Sequence, residues 1–564
     1  MLDRKVAFIS IGILAVFILL ALVFRDAVTH SIDTAFAASS QWFGGYWQYL
    51  LLVTFLVAIV LAFTPYARAR MGGTATVEYS RFKWLAMIMS TLLAGGGVFW
   101  AAAEPVAHYL DEPPHFGTAA TAQERVTNAL AQSFVDWGFL AWAILGTLGA
   151  VVMSYAHSKG MPLRPRTLLY PVMGKKILTS WVGTVADIVS VLAVVAGTVG
   201  PIGFLGLQVS YGISALTGIP DGYPMQLTII AVLTGVAALS VSSGLSKGIQ
   251  ILSRVNIWMA LILMAAVLLL GSAGYVLRAW VGGFATYVAD FFSLSLYQGD
   301  QAWLSGWTVF FFGWFVGYAP LMSVFVARIS HGRTLRDLLL SNAVLAPVVT
   351  TGWFTVLGGT GLAMELQNPG SVTGAYASDG VPAVVMSISA QLPLSLPVAV
   401  FFLILTTMFV TTTTDSMSFA IAQSCTASGE PSTRMRATWA VIMGVAAAVL
   451  ISIGDGGIGA LQSFIVITAV PVGFLMLPSV FAAPVFARRM AIEQGVVTPR
   501  GGTARAAGEG SAEPAPEAVA GAEAQAGKVP TGGSPYEAEI GLATADVPEA
   551  EPAVTSAGRS AERG

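Results

Sequence analysis

Aromatic rings grouped at membrane depth can hold a cation that offers few hydrogen bonds. Ring faces attract ammonium groups through their quadrupole, most strongly when both partners are desolvated. Residues 307–340, WTVFFFGWFVGYAPLMSVFVARISHGRTLRDLLL, are the stretch best supplied for this. An apolar, ring-dense run meets Gly317-Tyr318-Ala319-Pro320, where the helix is expected to break, and continues into a basic loop with Arg328, Arg333 and Arg336. Interrupted helices mark solute sites in membrane carriers. The bland alternative is an ordinary lipid-facing helix.

Other groups suited to chemistry are spread along the chain. Residues 136–142, DWGFLAW, place Trp137 and Trp142 five apart, so a regular helix points them in different directions. They share a cavity face only if the helix is tilted or irregular. Asp136 and Asp187 fall inside apolar spans, where acids are expensive and face a cavity or a partner; a place near a span end is the other reading. Glu104-Pro105 closes another span, WLAMIMSTLLAGGGVFWAAAEP, and reads as a local cap or pair. In that span Gly95-Gly96-Gly97 and Ala101-Ala102-Ala103 allow either close helix packing or an unwound stretch with carbonyls facing a cavity. The segment FVTTTTDSMS, with Asp415 and Ser416, is the densest hydroxyl cluster in any span. Hydroxyl and carbonyl oxygens suit a small hard cation, unless they bond back to their own helix.

Catalytic patterns are poor. His30, His108, His115, His157 and His331 are scattered, and no H-E-x-x-H, G-x-S-x-G or GK[ST] loop occurs. The single cysteine, Cys425, excludes an intramolecular disulfide and any multi-cysteine metal site. An enzyme is not expected, nor an organic cofactor.

The elements that must position these groups are membrane spans. Of 564 residues, 55% are hydrophobic and 10% charged, with a mean hydropathy of +0.74; soluble domains carry about 25% charged residues. The net charge of −2 gives no reason to expect nucleic acid. Twelve spans are expected near 6–24, 46–66, 84–105, 126–156, 178–212, 225–243, 250–274, 303–327, 338–364, 395–422, 435–453 and 458–486. The first lacks a small-residue cleavage site and is read as retained. With both termini inside, twenty of the 28 basic residues fall on the cytoplasmic side, three (Arg25, Arg125, Arg278) outside and five in the tail. The segment 278–299 is aromatic and weakly polar, and reads as an interfacial helix. Residues 490–564, with 11 acidic and 5 basic residues and few apolar ones, read as a disordered tail.

Taken together, the motifs resemble the betaine/choline/carnitine transporter family over about residues 1–490. They are WLAMxxS in the third span, DWGFxAW in the fourth, GLSKGIQILSRVNI before the seventh, WT(x)4GW(x)5P in the eighth, ARISHGRTLRDLL after it, and TTTDS in the tenth. The resemblance implies an all-α polytopic membrane protein with two inverted five-helix repeats and a neurotransmitter-sodium-symporter-like fold. Two extra helices over 1–83 precede a first repeat over 84–277. The external helix, 278–300, links it to a second repeat over 301–489. The resemblance also implies transport of a quaternary ammonium solute or zwitterion, often with sodium, and a homotrimer in the cell membrane.

Carried over by position, the aromatic cage is Trp137, Trp142, Trp314, Phe315 and Tyr318. Phe312, Phe315 and Tyr318 stand where the family usually has tryptophan, and Leu145 where tyrosine is frequent. A sodium site resembles Thr412 and Thr413 with the backbone of Ser90 and Leu93. A second would use Val194, Thr198 and Leu321, but valine supplies no hydroxyl, so one sodium per cycle is expected. Leu92 and Ala94 replace frequent glycines, and the tail lacks a basic cluster for anionic lipid. The reading is a secondary transporter for glycine betaine, choline, carnitine, or a sulfonium or ectoine-like solute. The alternatives are a non-transporting sensor on the same fold, a sodium-independent exchanger, or an amino-acid carrier of the same architecture.

Overall fold

The computed structural model describes residues 2–498 except 74–75, 93–95, 243–245, 428 and 454–457; side chains at 90–92 and 246–254 also fall outside the described set. Nearly all of the expected tail lies beyond it. Among the described residues the chain is helical, with two isolated bridges and no strand. Ten helices are long and apolar enough to cross a membrane, or eleven if Val255–Leu270 and Ala273–Ala289, bent by 106°, form one span. The chain is therefore a polytopic membrane protein. Of the third expected span, 84–105, the described residues form Arg81–Leu92 and Val98–Leu110 on either side of 93–95. The second was expected over 46–66, yet its helix runs from Arg25 to Phe63. The Ala- and Ser-rich stretch before residue 46 contains no proline, and alanine favours helix most of all residues.

Burial sorts the spans into a centre and a rim. The fourth span, Ala122–Ser158, and the eighth, Gln301–Ile329, are about nine-tenths buried, whereas Arg4–Val23 and Tyr223–Ser242 are about one-quarter buried. The helix Thr308–Ile329 is apolar on all sides and packs against the second, fourth, fifth and last spans, as an interior helix should.

Two expectations about irregular backbone change places. The eighth span does not break at residues 317–320: Thr308–Ile329 is continuous, with Pro320 inside it. Proline removes one backbone donor, and neighbouring helices accommodate the loss in a membrane bundle. The backbone departs from helix in the fourth span at Gly138 (φ −95°, ψ −132°) and Thr147 (φ −102°, ψ −92°), and in the eighth at Trp307 (φ −124°, ψ −98°), ahead of the expected break. A Cβ at Gly138 would strike the Phe134 carbonyl. The freed Phe139 N–H donates to the Tyr287 hydroxyl at 2.9 Å. Tyr287 belongs to Ala273–Ala289, the expected interfacial helix, which docks on the fourth span while Leu277, Val281 and Val288 stay exposed.

At the opposite end of the bundle, buried Asp187 accepts from the Arg166 amide at 2.8 Å and pairs with Arg166 Nε and Arg164 Nη2, each at 2.7 Å. Arg164 also holds Asp3 at 3.0 Å, and the Asp3 amide donates to the Cys425 carbonyl at 2.8 Å. Asp187 is thus a structural anchor with two arginine partners, the expected outcome for an acid at a span end. Removing one partner of such a buried group costs about 3–5 kcal/mol.

Candidate functional site

The site forms where the third, fourth, fifth, eighth and ninth spans meet. Small residues bring them close. A Cβ at Gly96 would collide with the Trp314 ring and lie 3.2 Å from that of Trp137. A Cβ at Gly197, on the fifth span, would lie 2.5 Å from the Tyr318 ring and 3.3 Å from Trp314 Nε1. The glycines leave no side chain of their own and let the rings press on backbone. That is the close-packing use of small residues. Next to Gly96 the backbone makes a π-type turn at residues 96–97, and the Gly97 carbonyl accepts from Trp353 Nε1 at 2.9 Å. That carbonyl thus bonds to a ninth-span indole.

Four of the five cage residues come together. Trp137 stands edge-on to Trp314, centroids 6.0 Å apart, and to Phe315 at 5.3 Å. Tyr318 joins through Gly197, which it shares with Trp314. Each heteroatom has a partner on another span. Trp137 Nε1 donates to Glu104 Oε2 at 2.7 Å, Trp314 Nε1 to the Gly197 carbonyl at 3.2 Å, and the Tyr318 hydroxyl pairs with Thr198 Oγ1 at 3.1 Å. These bonds fix ring orientation and leave ring faces as the variable surface. Trp142 is separate: it stacks on none of the other four, and its indole donates to Thr350 Oγ1 at 3.0 Å. The five-residue spacing already points Trp137 and Trp142 apart, and the break at Gly138 does not bring them back.

Further rings complete the wall. Phe311 lies 5.1 Å from Trp137, Trp100 lies 5.3 Å from Phe311, and Phe354 lies 5.1 Å from Trp137. Phe311 was within sight in the FFF run, one turn before Phe315. Phe354 had no sequence signal, because the ninth span shows no aromatic concentration. All these rings are buried.

Glu104 does not cap the third span: Val98–Leu110 carries Pro105 inside it, and Glu104 is fully buried. Its Oε2 accepts from Trp137 across to the fourth span, not from a local partner. Asp136 accepts from Gln132 Nε2 at 3.3 Å and lies 3.7 Å from His108 Nε2.

The proposed sodium ligands are only partly visible. Leu93 and the Ser90 side chain lie outside the described residues. In the helix Ser395–Ser424, Thr411, Thr412 and Thr414 donate to the carbonyls of Thr407, Met408 and Val410, the back-bonding alternative. Thr412 Oγ1 also accepts from Asn256 Nδ2 at 2.8 Å. Thr413 differs: its buried hydroxyl has no hydrogen-bond partner among the described residues. In the second position, Thr198 donates to the Val194 carbonyl at 2.8 Å while holding Tyr318. Its hydroxyl is committed to the cage.

Comparison with known proteins gives consistent matches. The family model for betaine/carnitine/choline family transporters matches residues 5–492. Glycine betaine transporter 2 of Vibrio parahaemolyticus is 48% identical over 497 residues, covering 88% of this chain and 92% of the relative. Glycine betaine transporter OpuD of Bacillus subtilis is 30% identical, covering 84% and 92%. A glycine betaine/proline/choline/ectoine transporter of Vibrio parahaemolyticus is 31% identical, covering 83% and 84%.

Proposed function

The chain belongs to the betaine/carnitine/choline transporter family, and from that premise we propose that it imports glycine betaine as a secondary transporter driven by one sodium ion per cycle. It is a multi-pass transporter of a small solute and not an enzyme. The observation that carries the solute reading is the meeting of Trp137, Trp314, Phe315 and Tyr318 around Gly96 and Gly197. A trimethylammonium group cannot donate hydrogen bonds, so recognition falls to ring faces. The relative at 48% identity carries glycine betaine in its name. Choline, carnitine and ectoine-like or sulfonium solutes share the cage chemistry and are the competing substrates.

The sodium reading rests on Thr413, whose buried hydroxyl has no hydrogen-bond partner among the described residues. Thr412 would complete the set by its second lone pair. Val194 offers no hydroxyl at the second position, hence one ion. The assembly proposed is a homotrimer with both termini cytoplasmic.

The test is uptake of radiolabelled glycine betaine into proteoliposomes with and without an inward sodium gradient. Saturable uptake driven by sodium and competed by excess unlabelled betaine is expected. Uptake indifferent to sodium would remove the coupling. No uptake and no binding of betaine by a correctly folded protein would remove the solute.

A further inference from the structure

We propose that Glu104, His108 and Asp136 form a binding site for a divalent transition-metal ion of the zinc class, set between the third and fourth spans behind the cage. One ligand atom from each of the three lies within 4.8 Å of the others, and all three side chains are fully buried. His108 Nε2 is 3.6 Å from Glu104 Oε1 and 3.7 Å from Asp136 Oδ2. Charge-assisted hydrogen bonds would close to about 2.7–2.9 Å. Atoms bound to one tetrahedral ion at about 2.0–2.2 Å would instead stand roughly 3.3–3.6 Å apart. The observed spacings are nearer the second case. One imidazole and two carboxylates are also a donor set such ions accept.

An independent observation points the same way. Both ring nitrogens of His108 and Glu104 Oε1 are buried with no hydrogen-bond partner. Around them Glu104 Oε2 accepts from Trp137, and Gln132 Nε2 lies 3.3 Å from both Asp136 oxygens while also donating to Thr308 Oγ1 at 3.0 Å. The residues behind the ligands are therefore held while the ligand atoms face one another. The Trp307 and Trp303 rings cover His108 at 4.5 and 5.4 Å. Among the described residues no lysine or arginine pairs with either carboxylate. Two buried carboxylates, both ionised and sharing one imidazole, are costly in a membrane. A divalent ion cancels both charges, where a protonated imidazole cancels one. Glu104 and His108 share one helix face by their four-residue spacing, and Asp136 comes from the neighbouring helix. A bound ion would therefore clamp the third span to the fourth, one hydrogen bond from Trp137.

The test uses the full chain, purified in nanodiscs after chelation. Zinc is added, retained metal is counted by mass spectrometry, and cobalt is read by its visible absorption. One ion per chain is expected, with cobalt bands of a four-coordinate nitrogen and oxygen set. His108→Gln and Asp136→Asn should each weaken binding at least about ten-fold, while His115→Gln, on the connecting loop, should bind as the unmodified chain does. Thermal unfolding in the same nanodiscs shows which variants are folded. No retained ion and no cobalt bands from the unmodified chain at about 100 μM metal would overturn the proposal. Metal binding unchanged in folded His108→Gln and Asp136→Asn would do the same.

Discussion

The rings of the fourth and eighth spans and the threonines of the tenth are both polar-tipped groups inside a membrane bundle, but they satisfy their tips in opposite ways. Trp137, Trp314 and Tyr318 each bond to a different span. Thr411, Thr412 and Thr414 each donate to their own helix. Cross-span bonds must break or re-form when helices shift against one another. Intrahelical ones travel with the helix. The cage is therefore sensitive to the arrangement of spans, and the threonine face, apart from the bond Thr412 accepts from Asn256, is a unit that a moving helix carries with it.

The largest effect is expected from Gly197→Ala. The added methyl meets Tyr318 and Trp314, and overpacking of this kind costs about 1–3 kcal/mol. Lower thermal stability in detergent together with loss of betaine binding is expected; a stable variant with unchanged affinity would detach the glycine from the cage. Next, Trp314→Ala should cost about 1–2 kcal/mol of binding, roughly ten-fold in Kd by isothermal calorimetry. Trp142→Phe sharpens the contrast within the cage. It removes the bond to Thr350 and lowers stability by about 1 kcal/mol, yet betaine affinity should hold. A ten-fold loss would return Trp142 to the solute site. The smallest effect on affinity belongs to the threonines. Thr413→Ala should flatten the sodium dependence of betaine affinity while leaving affinity at saturating sodium nearly unchanged, whereas Thr411→Ala should leave the whole titration curve in place. Equal behaviour of the two variants would dissolve the distinction drawn from their hydrogen bonds.

Legibility followed the physics of each group. Apolar runs of about 20 residues placed nearly every long helix within a few residues, because length and hydropathy alone decide them. They did not reveal that the second helix starts at Arg25, since the Ala- and Ser-rich lead-in is neither strongly apolar nor broken. Pro320 suggested a break and Gly138 did not, yet the backbone departs from helix at Gly138. A proline's effect depends on its surroundings, and Gly138's conformation depends on Tyr287, about 150 residues away. Trp137, Trp314 and Phe315 were legible as a group because large rings in a bundle interior must meet something. Trp142 stands apart from the other four rings, bonded to Thr350, as the five-residue spacing from Trp137 implies and resemblance alone does not. His108 passed as one of five scattered histidines, although Glu104 four residues earlier put a carboxylate on its face. Asp136 as its third neighbour is a tertiary fact with no local signal.

The knot around Asp3 bears on how this protein can be handled in the laboratory. Its amide is tied to the Cys425 carbonyl, Leu2 bridges to Thr426, and its carboxylate meets Arg164. A fluorescent protein or affinity handle attached close to Leu2 would have to thread away from this ring of contacts, and so needs a flexible spacer that leaves the Asp3 amide and carboxylate to their partners.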